Sequence, residues 1–371
     1  MRILYLSSAT DTLGNHNHKF LKALVDNGYD THLVSYHPLP IAKNIQEIKG
    51  LKIYHFPPKI IKKPFYFNRI FHFKRLLRSI KPDIIHSGNL FNESFLAALS
   101  QFHPVLVMPF GSDILIYPQK YKIFKSINKF IFLKVDWVTC DAEFVKKRII
   151  ADYKFDRDKI TVFPWGIELD LFNSNIISND IRKKLGWEDN IVLIMNRHFE
   201  PVYDHDTLIN SFRLSIKNNH NLRLLLVGDG SGRNRIEKLI IEYELKNYIN
   251  MTGKVSRKKM VELLNASDIY ISTSKSDGTS VSLLEAMACK KPVIVSNIPV
   301  NREWIKNNEN GFLVNVGDER MFSDSIIKLS KNMMLQKSMG EKNRRIALEK
   351  ADWKVNFKKL QGIYNILKNL N

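Results

Sequence analysis

Short apolar runs alternate with helical segments along most of this chain, and no other feature narrows its possible folds as much. Residues 2–6, 30–36, 53–56, 83–86, 105–108, 137–140 and 160–163 read as strands in the first half. Residues 191–195, 222–227, 249–252, 268–273, 292–295 and 311–314 read as strands in the second. Most of these runs are apolar throughout rather than on alternate residues, so both faces of each strand are buried. Such strands, separated by helices, make a parallel sheet covered on both sides. At 371 residues the chain exceeds the ~250–300 that one core usually serves. Two domains are therefore expected, with the linker at Phe163-Pro164-Trp165-Gly166-Ile167 and the polar run 173–180.

Charge and cysteine usage restrict the partners. Lys and Arg number 57 against 37 Asp and Glu, a formal net charge of +20. That favours an acidic partner: a membrane surface, a phosphorylated substrate or nucleic acid. The window 43–81 carries eleven Lys or Arg, among them Lys62, Lys63, Arg69, Lys74 and Arg75, against the single acid Glu47. Phe65, Phe67, Phe71 and Phe73 interleave with them, so the segment after Pro64 reads as a basic amphipathic helix of the kind that lies on anionic bilayers. A second basic, apolar helix, 120–134, extends that surface. The alternative is a core-packed helix with a solvated cationic back. Nucleic acid is not expected, because no helix-turn-helix, zinc or RNP motif is present. Cys140 and Cys289 fall in different domains, which argues against a disulfide and suits a reducing, cytoplasmic compartment. The apolar run 1–7 is too short for a signal-peptide core. No stretch approaches the ~18 apolar residues of a membrane span; in 130–138 Lys134 and Asp136 interrupt it. No metal-binding motif is visible.

The chemistry concentrates in 268–296, DIYISTSKSDGTSVSLLEAMACKKPVIVS. It reads as strand, polar loop with the turn Asp277-Gly278, helix from 280 to 289, and strand. Ligands of α/β sheets bind outside the carboxyl ends of strands, and a helix N-terminus offers unpaired N–H groups and a positive dipole end to a phosphate. Asp277 and Glu285 bracket that helix start. Eight residues at a helical rise span about 12 Å, which suits the separation of a nucleotide's ribose from a sugar beyond its diphosphate. Ser282-x-x-Glu285 also fits a capping box, in which Glu285 would serve its own helix.

The stretch resembles the donor-site signature of the retaining glycosyltransferases of family 4, Glu-x7-Glu followed by Ala-Met-Ala-Cys. Here Asp277-x7-Glu285 precedes Ala286-Met287-Ala288-Cys289, so the first acid is one methylene short. The resemblance implies an α/β, GT-B fold: two Rossmann-like, doubly wound parallel-sheet domains facing across a cleft. Residues 1–172 would form the acceptor side and 173–352 the nucleotide-sugar side. The last helix, 353–371, would return to the first domain through Trp353, Phe357, Leu360 and Tyr364. It further implies that Asp277 contacts the donor sugar, that Glu285 holds the ribose hydroxyls, and that the N–H groups of Gly278, Thr279 and Ser280 meet the phosphates. Arg197, at the end of the strand 191–195, would clamp the diphosphate. Val255, in Gly253-Lys254-Val255, belongs to a loop that meets the base through main-chain groups. Gly14 represents a glycine-rich loop after the first strand, and Gly228-Asp229-Gly230 resembles a turn that serves shape. Two departures stand out. The family's second diphosphate cation is replaced by Val202 or Tyr203, with His198 and His205 nearby in sequence. The His that the family often has after the strand 105–108 is Phe110.

The expected activity is transfer of a sugar, with retention, from a nucleotide sugar to a saccharide or lipid-linked saccharide in surface-polysaccharide or glycoconjugate synthesis. A UDP-sugar is the first expectation and a GDP- or CMP-sugar the alternative. Asp277 and Arg197 are the expected catalytic residues. No cofactor or metal is expected, because GT-B enzymes generally need none. The expected location is cytoplasmic, at the inner face of the membrane through 43–81. Two other readings share the fold: a nucleotide-sugar epimerase, which turns over the donor alone, and a nucleotide-sugar-binding protein without turnover. A glycosidase is not expected, since it needs two carboxylates about 5–10 Å apart across one bond and no such pair is visible.

Overall fold

Two all-parallel sheets organise the protein, whose structure is a computed structural model describing residues 1–10, 14–57, 65–175 and 179–369. The first sheet contains β1 (Arg2–Leu6), β2 (Asp30–Ser35), β3 (Lys52–His55), β4 (Ile84–Gly88), β5 (Val105–Met108), β6 (Trp137–Cys140) and β7 (Ile160–Val162), in the order β3-β2-β1-β4-β5-β6-β7. The second contains β8 (Ile191–Met195), β9 (Leu222–Val227), β10 (Ile249–Gly253), β11 (Ile269–Ser272), β12 (Val293–Ser296) and β13 (Gly311–Val314), in the order β10-β9-β8-β11-β12-β13. The order reverses at β1/β4 in one sheet and at β8/β11 in the other. Those two switch points, at the carboxyl ends of the strands, are where such sheets open a crevice for ligands.

Alternation along single strands shows why the apolar runs are continuous. Val192 and Ile194 of β8 enter one core of the second unit, and Leu193 and Met195 enter the other. Val293 and Val295 of β12 join the first of these cores and Ile294 the second. Successive side chains point to opposite faces, and here both faces are covered by helices.

The chain divides into a unit of Met1–Phe163 with Phe357–Asn371 and a unit of Pro164–Asn356. Residues 164–172, which the sequence reading assigns to the first domain, go with the second, because Ile167 and Phe172 are buried in its core. The last helix, Trp353–Lys368, buries Phe357, Leu360 and Tyr364. In the first unit the Tyr364 hydroxyl meets His86 Nδ1 at 2.6 Å. His86 is fully buried against Tyr5 and Tyr364, and burial pushes its pKa down to about 3, so it is a neutral structural residue.

The basic segments differ from expectation in detail. The helix Phe65–Ile80 turns Phe73, Leu77 and Ile80 into the core and leaves Arg75, Arg78 and Phe71, the last 72% exposed, outside. Lys59, Lys62 and Lys63, and the side chains of Phe65 and Phe67, lie outside the described residues. The expected single helix 120–134 is two, Tyr117–Lys120 and Lys122–Phe132. Tyr121 between them is extended, at φ −136° and ψ 115°, and its ring packs on Phe124. Among the described residues no helix is long and apolar enough to cross a membrane.

Candidate functional site

The switch point of the second sheet carries a buried ion pair. Arg197 follows β8 and Asp277 follows β11, so two neighbouring strands deliver them to the same crevice. Arg197 Nη2 donates to Asp277 Oδ2 at 2.5 Å. Its Nη1 donates to Ser280 Oγ at 2.7 Å and to Ser282 Oγ at 3.0 Å. The guanidinium lies over the Tyr203 ring, 4.0 Å from the centroid, a stacked cation–π contact. Burial works against the charge on Arg197, but Asp277, Tyr203 and Tyr270 outweigh it and its pKa is raised. Burial raises the Asp277 carboxyl, while Arg197, the Gly278 N–H and Ser280 draw it back. The Arg197 Nε–H, itself buried, has no partner within the protein.

The helix Val281–Ala288 starts directly at this pair. Its cap is Ser280, whose Oγ accepts from Leu283 N at 3.3 Å. The capping-box reading of Ser282 and Glu285 is therefore not realised: Ser282 sits inside the helix and bonds Arg197 and the Tyr270 hydroxyl. Glu285, one turn further along, accepts from Asn196 Nδ2 at 3.1 Å. Asn196 precedes Arg197, so β8 supports both ends of the Asp277-x7-Glu285 motif. Asn196 Oδ1 is buried without a partner. Gly278 and the buried Thr279 complete the loop.

The loop after β11 is tied to the segment that follows Arg197. Lys275 N donates to Val202 O at 2.8 Å, and its ammonium pairs with Asp204 Oδ1 at 3.0 Å. His205 cannot supply the family's second diphosphate cation at neutral pH. It is buried against Phe199, and burial, helped by Arg197, pushes its pKa down to about 4. Ser282, Asn196 and Tyr203 are site residues whose roles are not assigned from the sequence. The turn pairing of 202 with 275, seventy-three positions away, is visible only in the fold.

Other expected positions are less central. Gly228-Asp229-Gly230 packs on the backbone after β8: a Cβ on Gly228, at φ +147°, would stand 2.3 Å from the Arg197 carbonyl oxygen. Gly228 N also donates to Gly253 O at 3.1 Å. Val255 follows β10 and is partly buried against the core of the second unit. Gly14 opens the helix Gly14–Asp26 of the first unit. The Phe110 ring lies against Gly88, and its N–H donates to the Asp113 carboxylate. Among the described residues no group of three or more His, Cys, Asp or Glu is placed to hold a metal ion.

Comparison with known proteins accounts for both units. Residues 13–171 match the family described as Glycosyltransferase Family 4, and residues 177–346 match Glycosyl transferases group 1. An uncharacterized glycosyltransferase of Methanocaldococcus jannaschii is 32% identical over 247 residues, 66% of this chain and 62% of that protein. The chain thus matches less than two thirds of that relative's length. A UDP-Gal:alpha-D-GlcNAc-diphosphoundecaprenol alpha-1,3-galactosyltransferase of Escherichia coli is 28% identical over 195 residues, 51% of this chain and 50% of the relative. The structure of HepE from Anabaena in complex with UDP superposes with a TM-score of 0.82 at 16% identity, covering 99% of this chain and 100% of HepE. Two parallel α/β units, a GT-B fold shared along the whole chain, and a glycosyltransferase family match on each half support a GT-B glycosyltransferase of the family 4 type.

Proposed function

We propose that the protein is a retaining glycosyltransferase that moves a sugar from a UDP-sugar to a hydroxyl of a saccharide or lipid-linked saccharide, in surface-polysaccharide or glycoconjugate synthesis. One observation carries this reading. Arg197 is fixed by Asp277, Ser280 and Ser282 at the mouth of a helix N-terminus, and its buried Nε–H lacks a protein partner. A diphosphate would satisfy that donor and meet the helix N–H groups. The UDP bound to HepE and the UDP-Gal in the Escherichia coli relative's name support the nucleotide; the diphosphoundecaprenol in that name supports a lipid-linked acceptor.

In this reading the anomeric C–O bond to the diphosphate breaks as the bond to the acceptor oxygen forms on the same face. The acceptor proton passes to the leaving phosphate oxygen. Charge developing on that oxygen is met by Arg197 and by the N–H groups of Gly278, Thr279 and Ser280, and such preorganised donors are the main source of rate. Asp277 orients the sugar, Glu285 holds the ribose hydroxyls, and the main chain around Val255 meets the base. No cofactor or metal enters the scheme.

A melting assay with UDP, GDP and CMP tests the donor, since a ligand at 100 times its Kd adds about 2.7 kcal/mol. UDP is expected to raise the melting temperature most; stabilisation by GDP or CMP alone would replace the UDP-sugar. Glu285→Gln should weaken UDP binding at least tenfold by calorimetry with little change in melting. Undiminished affinity would remove Glu285 from the ribose site.

We also place the protein at the cytoplasmic face of an anionic membrane. The segment 117–134 exposes Tyr117, Tyr121 and Ile123, the last 66% exposed, among Lys120, Lys122, Lys125 and Lys129. Each basic residue near such a surface contributes about 1 kcal/mol, and salt screens it. Flotation should show binding to anionic vesicles at low salt, weak binding to neutral ones and release at 1 M salt. Reversing Lys74, Arg75, Lys120 and Lys122 to Glu should abolish it. Equal binding to neutral and anionic vesicles would defeat the idea.

A further inference from the structure

The switch point of the first sheet has its own cavity, of about 190 Å³. Leu6 closes β1, Tyr36 and His37 follow β2, and Asn92, Glu93 and Leu96 follow β4, so the same topological rule that places Arg197 and Asp277 places this cavity. Ligand pockets for drug-sized molecules run from about 300 to 1,000 Å³, so this one is too small for a nucleotide sugar and suits a single ring.

Its lining carries one group that the protein leaves unsatisfied. Glu93 belongs to a π-helical turn, Leu90–Ser94, a local distortion frequent at functional sites. The residue is 8% exposed, and its Oε2 is buried with no hydrogen-bond partner. A buried carboxyl oxygen without a hydrogen bond is unfavourable, and Arg69 and the Glu93 backbone N–H offset its burial only in part. Around it stand the Tyr36 ring, Leu6 and Leu96 as apolar walls and Arg69, which donates to Tyr36 O at 3.3 Å. Apolar walls with one inward carboxyl match a sugar ring, which offers C–H faces and hydroxyl donors.

We propose that this cavity is a monosaccharide-sized acceptor subsite, in which Glu93 accepts hydrogen bonds from ring hydroxyls of a neutral saccharide. The proposal rests on reading the chain as a glycosyltransferase, and it assigns Glu93 to recognition of the acceptor rather than to the transfer step. The ionisable groups lining the cavity with Glu93 are Tyr36 and His37, after β2, and Arg69, on the helix Phe65–Ile80. Burial raises the Glu93 carboxyl to about 7, although its own backbone N–H and Arg69 oppose this. A carboxyl raised in the folded state penalises folding as pH rises from the unfolded value to the folded one. Removing it should therefore raise the melting temperature above pH 7 relative to wild type and change little below pH 4.5.

Saturation-transfer NMR on the full chain tests the subsite, with galactose, N-acetylglucosamine, glucuronate and inorganic phosphate as probes. UDP calorimetry on the same samples reports the donor site separately. A neutral sugar should bind to wild type, several-fold more weakly to Glu93→Gln, which keeps one acceptor oxygen, and not measurably to Glu93→Leu. Both variants should keep wild-type UDP affinity and melt no lower than wild type at pH 7.5. Binding of glucuronate or phosphate alone would make this an anion pocket of Arg69 and overturn the proposal. So would the absence of any sugar binding, sugar binding that survives Glu93→Leu, or loss of melting temperature in both variants. Failure of wild type to bind UDP would instead count against the donor reading.

Discussion

Arg197→Ala is expected to slow sugar transfer by at least ~10²-fold, the scale of losing one preorganised donor to developing charge. It should also destabilise the second unit by about 3–5 kcal/mol, because removing one member of a buried pair strands the other. The stranded group is Asp277, whose side chain is 19% exposed. The two effects can be separated. Arg197→Ala combined with Asp277→Asn removes the uncompensated charge, so most of the stability should return while transfer stays lost. Turnover that recovers with stability in the double variant would show a structural ion pair and nothing more. Arg197→Lys keeps the charge but cannot reach Asp277, Ser280 and Ser282 together with a planar fork. A loss of about 1.5–3 kcal/mol in UDP affinity, the scale of a charged hydrogen bond, is expected from calorimetry.

Gly228→Ala should be the most damaging conservative change near the site. The new Cβ would stand 2.3 Å from the Arg197 carbonyl oxygen, a backbone atom that cannot swing aside, at φ +147°. Overpacking of this kind costs about 1–3 kcal/mol, and a sparsely populated backbone conformation about 1–3 kcal/mol more. For a unit of this size the melting temperature should fall on the order of 10 °C. Because the displaced carbonyl belongs to Arg197, UDP affinity of the remaining folded protein should fall too. Gly362→Ala is the control. It lies in the last helix with nothing within 4 Å of the added carbon, so a gain of about 0.5–1 kcal/mol is expected. Equal melting of the two variants would show that Gly228 is not a close-approach glycine.

Much of this protein was legible in its residues. Strands buried on both faces are apolar at most positions, so β5, β6, β8, β9 and β13 were readable to the residue from local runs alone. The Asp277-x7-Glu285 spacing marked the helix start that Ser280 caps, since a loop, a cap and a first turn are contiguous in sequence. Contacts between distant segments were not legible. Arg197 and Asp277 lie eighty positions apart and meet because β8 and β11 are neighbours, which is a property of strand order. The tie between Lys275 and Val202 was equally hidden, because a backbone bond between two loops seventy-three positions apart leaves no local signal. The Lys43–Lys81 aromatics read as a membrane face, yet Phe73 turned inward; helical spacing gives a face but not what covers it. Glu93 looked like any polar residue after a strand. Only the closure of β1, β2 and the π-turn around it took its carboxyl out of water, because burial belongs to the packed sheet and its loops, not to any one segment of the chain.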